Sequence, residues 1–130
     1  MKLLLDTAAF LWYVSADRRL PVATRDLISA AENDVWLSVV SVWEIVVKTE
    51  LKRLQLPGPA WSYVTAQRER HAVAPLALEE SAVANLSKLP AVHRDPFDRM
   101  LVCQALAQDL VVVTNDPLIE RYPVKTVWLS

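Results

Sequence analysis

The chain is 130 residues long, with 53% apolar residues, one cysteine and a formal net charge of −1. That length fits one domain over 1–130 and leaves no room for a second core. The charge excludes a generally basic nucleic-acid coat, though not a basic rim around an acidic centre; the lone cysteine excludes an internal disulfide.

No apolar run reaches the ~18 residues needed to cross a bilayer, and Asp6 interrupts the apolar start before any signal-peptide pattern develops. A soluble, cytoplasmic protein is expected. A single glycine makes Asn-Gly hairpins improbable and favours strands linked by helices. Eight prolines then supply the punctuation.

Lys2-Leu3-Leu4-Leu5 shows no alternation, and reads as a short strand buried on both faces of a parallel sheet. It stops at Asp6. Ligands of open α/β sheets sit at the C-terminal ends of strands, so Asp6 is either a helix N-cap or the first wall of an ion site. Thr7 to Val14 reads as a short, largely buried helix, broken by Asp17-Arg18-Arg19. Apolar residues at helical spacing predict a second helix from Val22 to Ala31, with Asn33-Asp34 as the turn behind it. Val35 to Val40 has the composition of a buried strand.

Ser41-Val42-Trp43-Glu44 has the form of a capping box, with Ser41 as N-cap of a helix running through Leu51. Leu56-Pro57-Gly58-Pro59 is a clear break. A helix from Ala60 to about Arg70 follows, with Trp61, Val64 and Tyr63 assigned to its inner side. Val73 to Leu76 reads as a strand that Pro75 confines to an edge. Glu79 to Leu89 is amphipathic and ends at Pro90. Asp95-Pro96 pairs an N-cap with proline at the first helical position, and that helix runs through Leu106 with Cys103 as a buried, inert thiol. Leu110 to Thr114 is the clearest strand and ends at Asn115-Asp116-Pro117. A short helix to Tyr122 and a last strand from Val124 to Leu129 complete an alternation expected of a mostly parallel sheet with helices on both faces.

Four acids occupy one kind of place. Asp6 and Asp116 lie just past buried strands; Glu44 and Asp98 lie in the first turns of helices. In a parallel sheet these positions share one edge. Each has a structural explanation as a cap or as a charge at the positive end of a helix dipole. Jointly they repel: two carboxylates ~5 Å apart interact by roughly 3 kcal/mol at an effective dielectric near 20. A fold that gathers several must protonate one or bind a cation. All-oxygen donors favour Mg²⁺ or Mn²⁺ over zinc, and hard divalent ions on carboxylates suit phosphoryl chemistry. Lys48, Arg94 and Arg99, with the hydroxyls of Thr7, Ser41 and Thr114, stand nearby, and Arg94 and Arg99 are candidates for phosphate contacts.

Taken together, Leu-Leu-Leu-Asp-Thr, Ser-Val-Trp-Glu-Ile, His-Arg-Asp-Pro-Phe-Asp-Arg-Met-Leu and Val-Thr-Asn-Asp resemble a PIN-domain ribonuclease. More closely, they resemble the VapC-type toxins of bacterial type II toxin–antitoxin pairs. The resemblance spans nearly the whole chain. It implies a three-layer α/β/α sandwich around a short, mostly parallel five-stranded sheet. The family's acidic quartet falls on Asp6, Glu44, Asp98 and Asp116. Asp6, Asp98 and Asp116 are then the implied ligands of Mg²⁺, with Mn²⁺ as a substitute, and Glu44 helps through water or the metal. Asp95 recurs in the motif but has a sufficient role as a cap. Thr114 matches a hydroxyl near the metal shell, and Thr7, Ser41, Arg94 and Arg99 are the other candidate substrate contacts.

The implied activity is endonucleolytic cleavage of single-stranded or looped RNA, leaving a 5′-phosphate and a 3′-hydroxyl. The implied partners are a second copy of the chain and a small antitoxin that covers the acidic groove. Of the five tryptophans, Trp12 and Trp43 leave the active edge early in their helices; core positions are expected for both. No metal role is expected of His71 or His93, and His93 at most touches RNA. Two alternatives stay open. A haloacid-dehalogenase-like phosphatase also begins with an apolar strand ending in aspartate, but needs a second aspartate where this chain has Ala8. A non-catalytic binding module would use the acids only as caps.

Overall fold

A computed structural model of the chain describes residues 1–130. The chain begins with strand β1 (Lys2–Leu5), followed by helices α1 (Thr7–Val14) and α2 (Val22–Ser29). Strand β2 (Asp34–Ser38), helices α3 (Val39–Glu50) and α4 (Ala60–Arg70), and strand β3 (Ala74–Leu76) come next. Helix α5 (Glu80–Ala84) runs into a 3₁₀ turn (Asn85–Lys88); then come α6 (Pro96–Gln108), β4 (Val111–Val113), α7 (Pro117–Glu120) and β5 (Thr126–Val127).

The five strands form one sheet in the order β3-β2-β1-β4-β5, and every pairing is parallel. β1 is central, with Leu5 opposite both Leu37 of β2 and Val113 of β4. Its unbroken leucine run follows from this position. Leu3 and Leu5 face one core, with Phe10 of α1, Ile45 of α3 and Val64 of α4. Leu4 faces the other, with Leu101, Val102 and Ala105 of α6 and Ile119 of α7. Successive side chains of a strand point to opposite faces, so a strand covered by helices on both must be apolar throughout. The result is the expected α/β/α sandwich.

Three local readings are corrected. β2 ends at Ser38 and α3 starts at Val39, so the N-cap is Ser38, whose Oγ accepts the Val40 N–H at 3.0 Å. Ser38 is fully buried and its hydroxyl also donates to Gln104 Oε1 of α6, a contact open to Ser38 alone at this strand end. Ser41 and Glu44 therefore lie inside the helix, both turned inward.

The helix expected over Glu79–Leu89 tightens into the 3₁₀ turn at Asn85, whose side-chain amide donates to the Cys103 carbonyl at 3.2 Å. The final strand keeps only Thr126–Val127 of its expected span. None of the tryptophans is fully buried: Trp12, Trp36 and Trp128 are partly covered, while Trp43 and Trp61 are 60% and 64% exposed. Strands of two to five residues enclose thin cores that aliphatic side chains and Phe10 already fill, and the indoles lie over their rims.

With so little glycine, ordinary residues take the left-handed conformation behind helices. Ala16, Lys52, Ala72 and Asp109, with φ of 53–58°, follow α1, α3, α4 and α6. No helix is long and apolar enough to cross a membrane.

Candidate metal centre

The site lies at the C-terminal edge of β1 and β4, where the register brings Leu5 and Val113 side by side and the chain turns into helices on both strands. Asp6 ends β1 and caps α1, its Oδ1 accepting the Ala9 N–H at 2.7 Å. Asp116 follows β4 and caps α7, its Oδ1 accepting the Leu118 N–H at 2.9 Å. Asp95 caps α6 through the Phe97 N–H at 2.9 Å, with Pro96 in the first turn, and so sets Asp98 on that turn. Each is a local consequence of sequence: an aspartate leaving an extended segment meets the free N–H groups of a helix start.

Glu44 arrives differently, from the inside of α3. It is 3% exposed. Its Oε1 accepts the Thr7 hydroxyl at 2.6 Å, and its Oε2 is paired with Lys48 one turn on. Thr7 Oγ1 also lies 3.0 Å from Ser41 Oγ, so a buried chain of hydroxyls ties α1 to α3 around this carboxylate. Thr114 Oγ1 accepts the Asp116 N–H at 3.0 Å and is left with its own proton to offer to Asp6. Ser41 and Thr114 are fully buried; Thr114 supports Asp116, and Ser41 meets Thr7 rather than an acid. Thr7 reaches the groove wall.

Asp6, Thr7, Glu44, Asp95, Asp98 and Asp116 all line one groove of about 500 Å³, joined on its rim by Lys48 and Arg53. Crowding them changes their acidity. Burial, above all, lifts Asp6 to about 6, the charges of Asp116 and Glu44 adding to it against hydrogen bonds from Thr114 and Ala9. Burial and then the charges of Asp95 and Glu44 lift Asp98 to about 7, partly opposed by His93. Burial works to lower the Lys48 ammonium, but its bond to Glu44 and the charges of Asp95 and Asp98 outweigh this and raise it. One lysine and one arginine do not balance five carboxylates. The donors are almost all oxygen and short of positive charge, which fits a hard divalent cation.

Two residues depart from the sequence reading: Arg53, which it did not single out, and His93, which it gave no metal role and which lies in the wall of the neighbouring cavity against two of the acids. His93 Nε2 lies 3.0 Å from Asp98 Oδ2 and 3.4 Å from Asp116 Oδ2, and the three ligand atoms fall within 4.8 Å of one another. Asp6 lies beside this tight group, outside that radius. Arg53 comes back over the groove because Lys52 takes a left-handed conformation and the Arg53 N–H returns to the Lys48 carbonyl at 2.8 Å. Neither follows from periodicity, although His93 heads the His-Arg-Asp-Pro-Phe-Asp motif.

Arg94 and Arg99 do not line the acidic groove. They line a separate cavity of about 630 Å³ on the other side of His93, where Arg99 Nε is buried without a partner. Trp43 and Phe97, the neighbours of Glu44 and Asp98 in sequence, pack edge to face with centroids 4.9 Å apart. Trp12 packs against Trp128 under the Arg19 guanidinium, and His71 packs against Tyr13, away from the acids.

The PIN domain family model matches residues 3–125. No curated protein matches the chain. Among solved structures, it is similar to a chain of VapBC2 from Rickettsia felis bound to a DNA fragment from their promoter, at 13% identity and a TM-score of 0.75, over 100% of both chains. It is also similar to chains of DNA-bound VapBC from Salmonella typhimurium and of VapBC-1 from nontypeable Haemophilus influenzae. These are 17% and 18% identical, each with a TM-score of 0.68 over 98% of this chain and 97% of the other. At such identities the likeness is one of fold.

Proposed function

This chain belongs to the PIN domain family, and on that premise we propose that it is a metal-dependent endoribonuclease, the toxin of a type II toxin–antitoxin pair. The observation that carries the reading is the convergence of five carboxylates on one sheet edge, with Asp6 and Asp98 held far above the ordinary carboxylate range. That arrangement costs the ion-free fold stability and has no structural purpose that neutral caps would not serve.

Asp6, Asp98 and Asp116 would hold Mg²⁺, or Mn²⁺ in its place. When bound, such an ion supplies an activated water at neutral pH and positive charge for the departing oxygen of a phosphodiester. The protein's own groups do the rest. Glu44, fixed by Thr7 and Lys48, accepts a hydrogen bond from the attacking water. Lys48 and Arg53 meet the phosphates of a single strand lying along the groove, and Arg94 and Arg99 take a neighbouring phosphate in their own cavity. Products carry a 5′-phosphate and a 3′-hydroxyl.

The similarity to chains of VapBC assemblies supports a small protein antitoxin that covers the groove. The exposed Val39 and Trp43 of α3, beside Phe97, give a second copy an apolar surface on which to form a homodimer. The protein acts in the cytoplasm, on the RNA it meets there.

The test is sequencing of RNA 5′ ends after expression of the wild type and of Asp6→Asn, with cleavage by the purified proteins in Mg²⁺, Mn²⁺ or chelator. New ends with the wild type alone, lost in chelator, are expected. Cleavage that survives Asp6→Asn sinks the assignment of the site. A binding module has one observation in its favour, that Asp6, Asp95 and Asp116 all do cap helices. Calorimetry that detects no Mn²⁺ or Mg²⁺ binding at millimolar concentration would select it.

A further inference from the structure

We infer that His93 is a positioning residue for the metal-binding carboxylates: its imidazole, locked as the Nε2–H tautomer, holds Asp116 in place beside Asp98. This rests on the metal site proposed above and adds a residue to it.

The tautomer follows from the neighbours. The Asp95 N–H donates to His93 Nδ1 at 3.2 Å. A ring nitrogen that accepts a hydrogen bond carries no proton, so in the neutral ring the proton is on Nε2. That N–H donates to Asp116 Oδ2, 3.4 Å away. Asp98 Oδ2 lies 3.0 Å from the same nitrogen, off the N–H direction. Asp98 belongs to the first turn of α6 and Asp116 to the junction of β4 and α7. No direct bond joins these two carboxylates, and their charges push them apart. The donor between them holds Asp116 in place beside Asp98.

The ring itself is anchored although His93 lies in no helix or strand. Its backbone N–H donates at 2.8 Å to the hydroxyl of Tyr122, which is packed into the core with Leu101 and Ile119. The same geometry argues against His93 as a ligand. Nε2 has no lone pair to offer while it holds the proton, and moving the proton to Nδ1 would set it against the Asp95 N–H, two donors face to face. The carboxylates lose nothing as ligands, since an oxygen accepting one hydrogen bond keeps a second lone pair. Without the clamp, Asp116, whose side chain is 31% exposed, is free to turn toward solvent.

The test titrates Mn²⁺ into the full chain at fixed neutral pH, without RNA, for the wild type, His93→Ala and His93→Gln. Calorimetry gives the affinity, and melts in chelator report the fold. Loss of a partner that orients metal ligands typically weakens binding 10–100-fold. His93→Ala is expected to lose at least tenfold in Mn²⁺ affinity while its melting temperature in chelator stays within a few degrees of wild type. His93→Gln, which restores an N–H donor toward Asp116, is expected to recover most of the loss. Unchanged or tighter binding by His93→Ala overturns the inference. So does a Mn²⁺–nitrogen hyperfine coupling in the wild type, which would make His93 a ligand; that measurement stands even if His93→Ala does not fold. Wild type that binds no Mn²⁺ overturns both the clamp and the metal site, whereas Mn²⁺ binding without RNA cleavage removes only the nuclease reading.

Discussion

Replacing Asp6 by asparagine should make the ion-free protein more stable while abolishing the proposed activity. Asp6 is only 6% exposed. Burial first, then the charges of Asp116 and Glu44, lift it to about 6 from an ordinary 3.8. The folded state thus binds this proton more tightly than the unfolded chain does. The sign follows: the contribution is most favourable at low pH and is lost as pH rises from the unfolded value through about 6. At about 1.4 kcal/mol per unit, ionising Asp6 costs the fold about 3 kcal/mol at pH 8 and about 1.5 kcal/mol at pH 5. Asparagine avoids that cost and keeps an oxygen for the Ala9 N–H; the charge-assisted part of the cap is already included in the value near 6. The net gain is about 3 kcal/mol at pH 8, or roughly 9–15 °C for a chain of this size, shrinking to about 1.5 kcal/mol at pH 5. Circular dichroism melts of both proteins in chelator at the two pH values measure it. A variant less stable than wild type at pH 8, or a gain equal at both, would show that Asp6 is not a strained anion.

Three other outcomes are expected. Mn²⁺ at about a hundredfold over its dissociation constant should stabilise the wild type by about 2.7 kcal/mol, reversibly with chelator, and should leave Asp98→Asn unmoved in the same melts. Ser38→Ala removes the cap of α3 and strands Gln104, fully buried on α6 with its amide already donating to the Ala77 carbonyl. It should cost 1–3 kcal/mol in urea unfolding with no change in slope, and a loss below about 0.5 kcal/mol would mean the buried contact carries no weight. Ala72→Gly relieves a left-handed alanine, φ 55°, behind α4 and should raise stability by roughly 0.5–1 kcal/mol; a lowered melting temperature would contradict it.

What could be read from the sequence was whatever neighbouring residues decide among themselves. Three leucines followed by aspartate specify a doubly covered strand and the turn at its end, because both consequences arise within four residues. Asp95-Pro96 likewise specifies a cap and a first turn. The start of α3 was missed because two serines compete for it. Ser38 wins through Gln104, 66 positions away, and no local pattern carries that contact. Trp61 was placed inward by helical spacing alone, yet Val64 and the partly buried Tyr63 already meet the core on that side of α4. The contact of His93 with Asp98 and Asp116 and the return of Arg53 over the groove were illegible for the same reason. Each depends on where an irregular turn sets it down, the one through Tyr122 and the Asp95 N–H, the other through Lys52.

Cap and ion ligand, the two roles the sequence left open, are compatible once the oxygens are counted. Asp6, Asp95 and Asp116 each spend Oδ1 on a backbone N–H two or three residues ahead. A carboxylate held through one oxygen has its rotamer fixed and its second oxygen aimed, so capping prepares the site rather than competing with it. Three helices therefore start where they do for the same reason that the groove is acidic. It also explains why asparagine is the informative substitution at Asp6 and Asp116. It retains the oxygen that the helix needs and removes the charge, so a variant that folds normally and fails to bind an ion separates the two roles that a single aspartate performs.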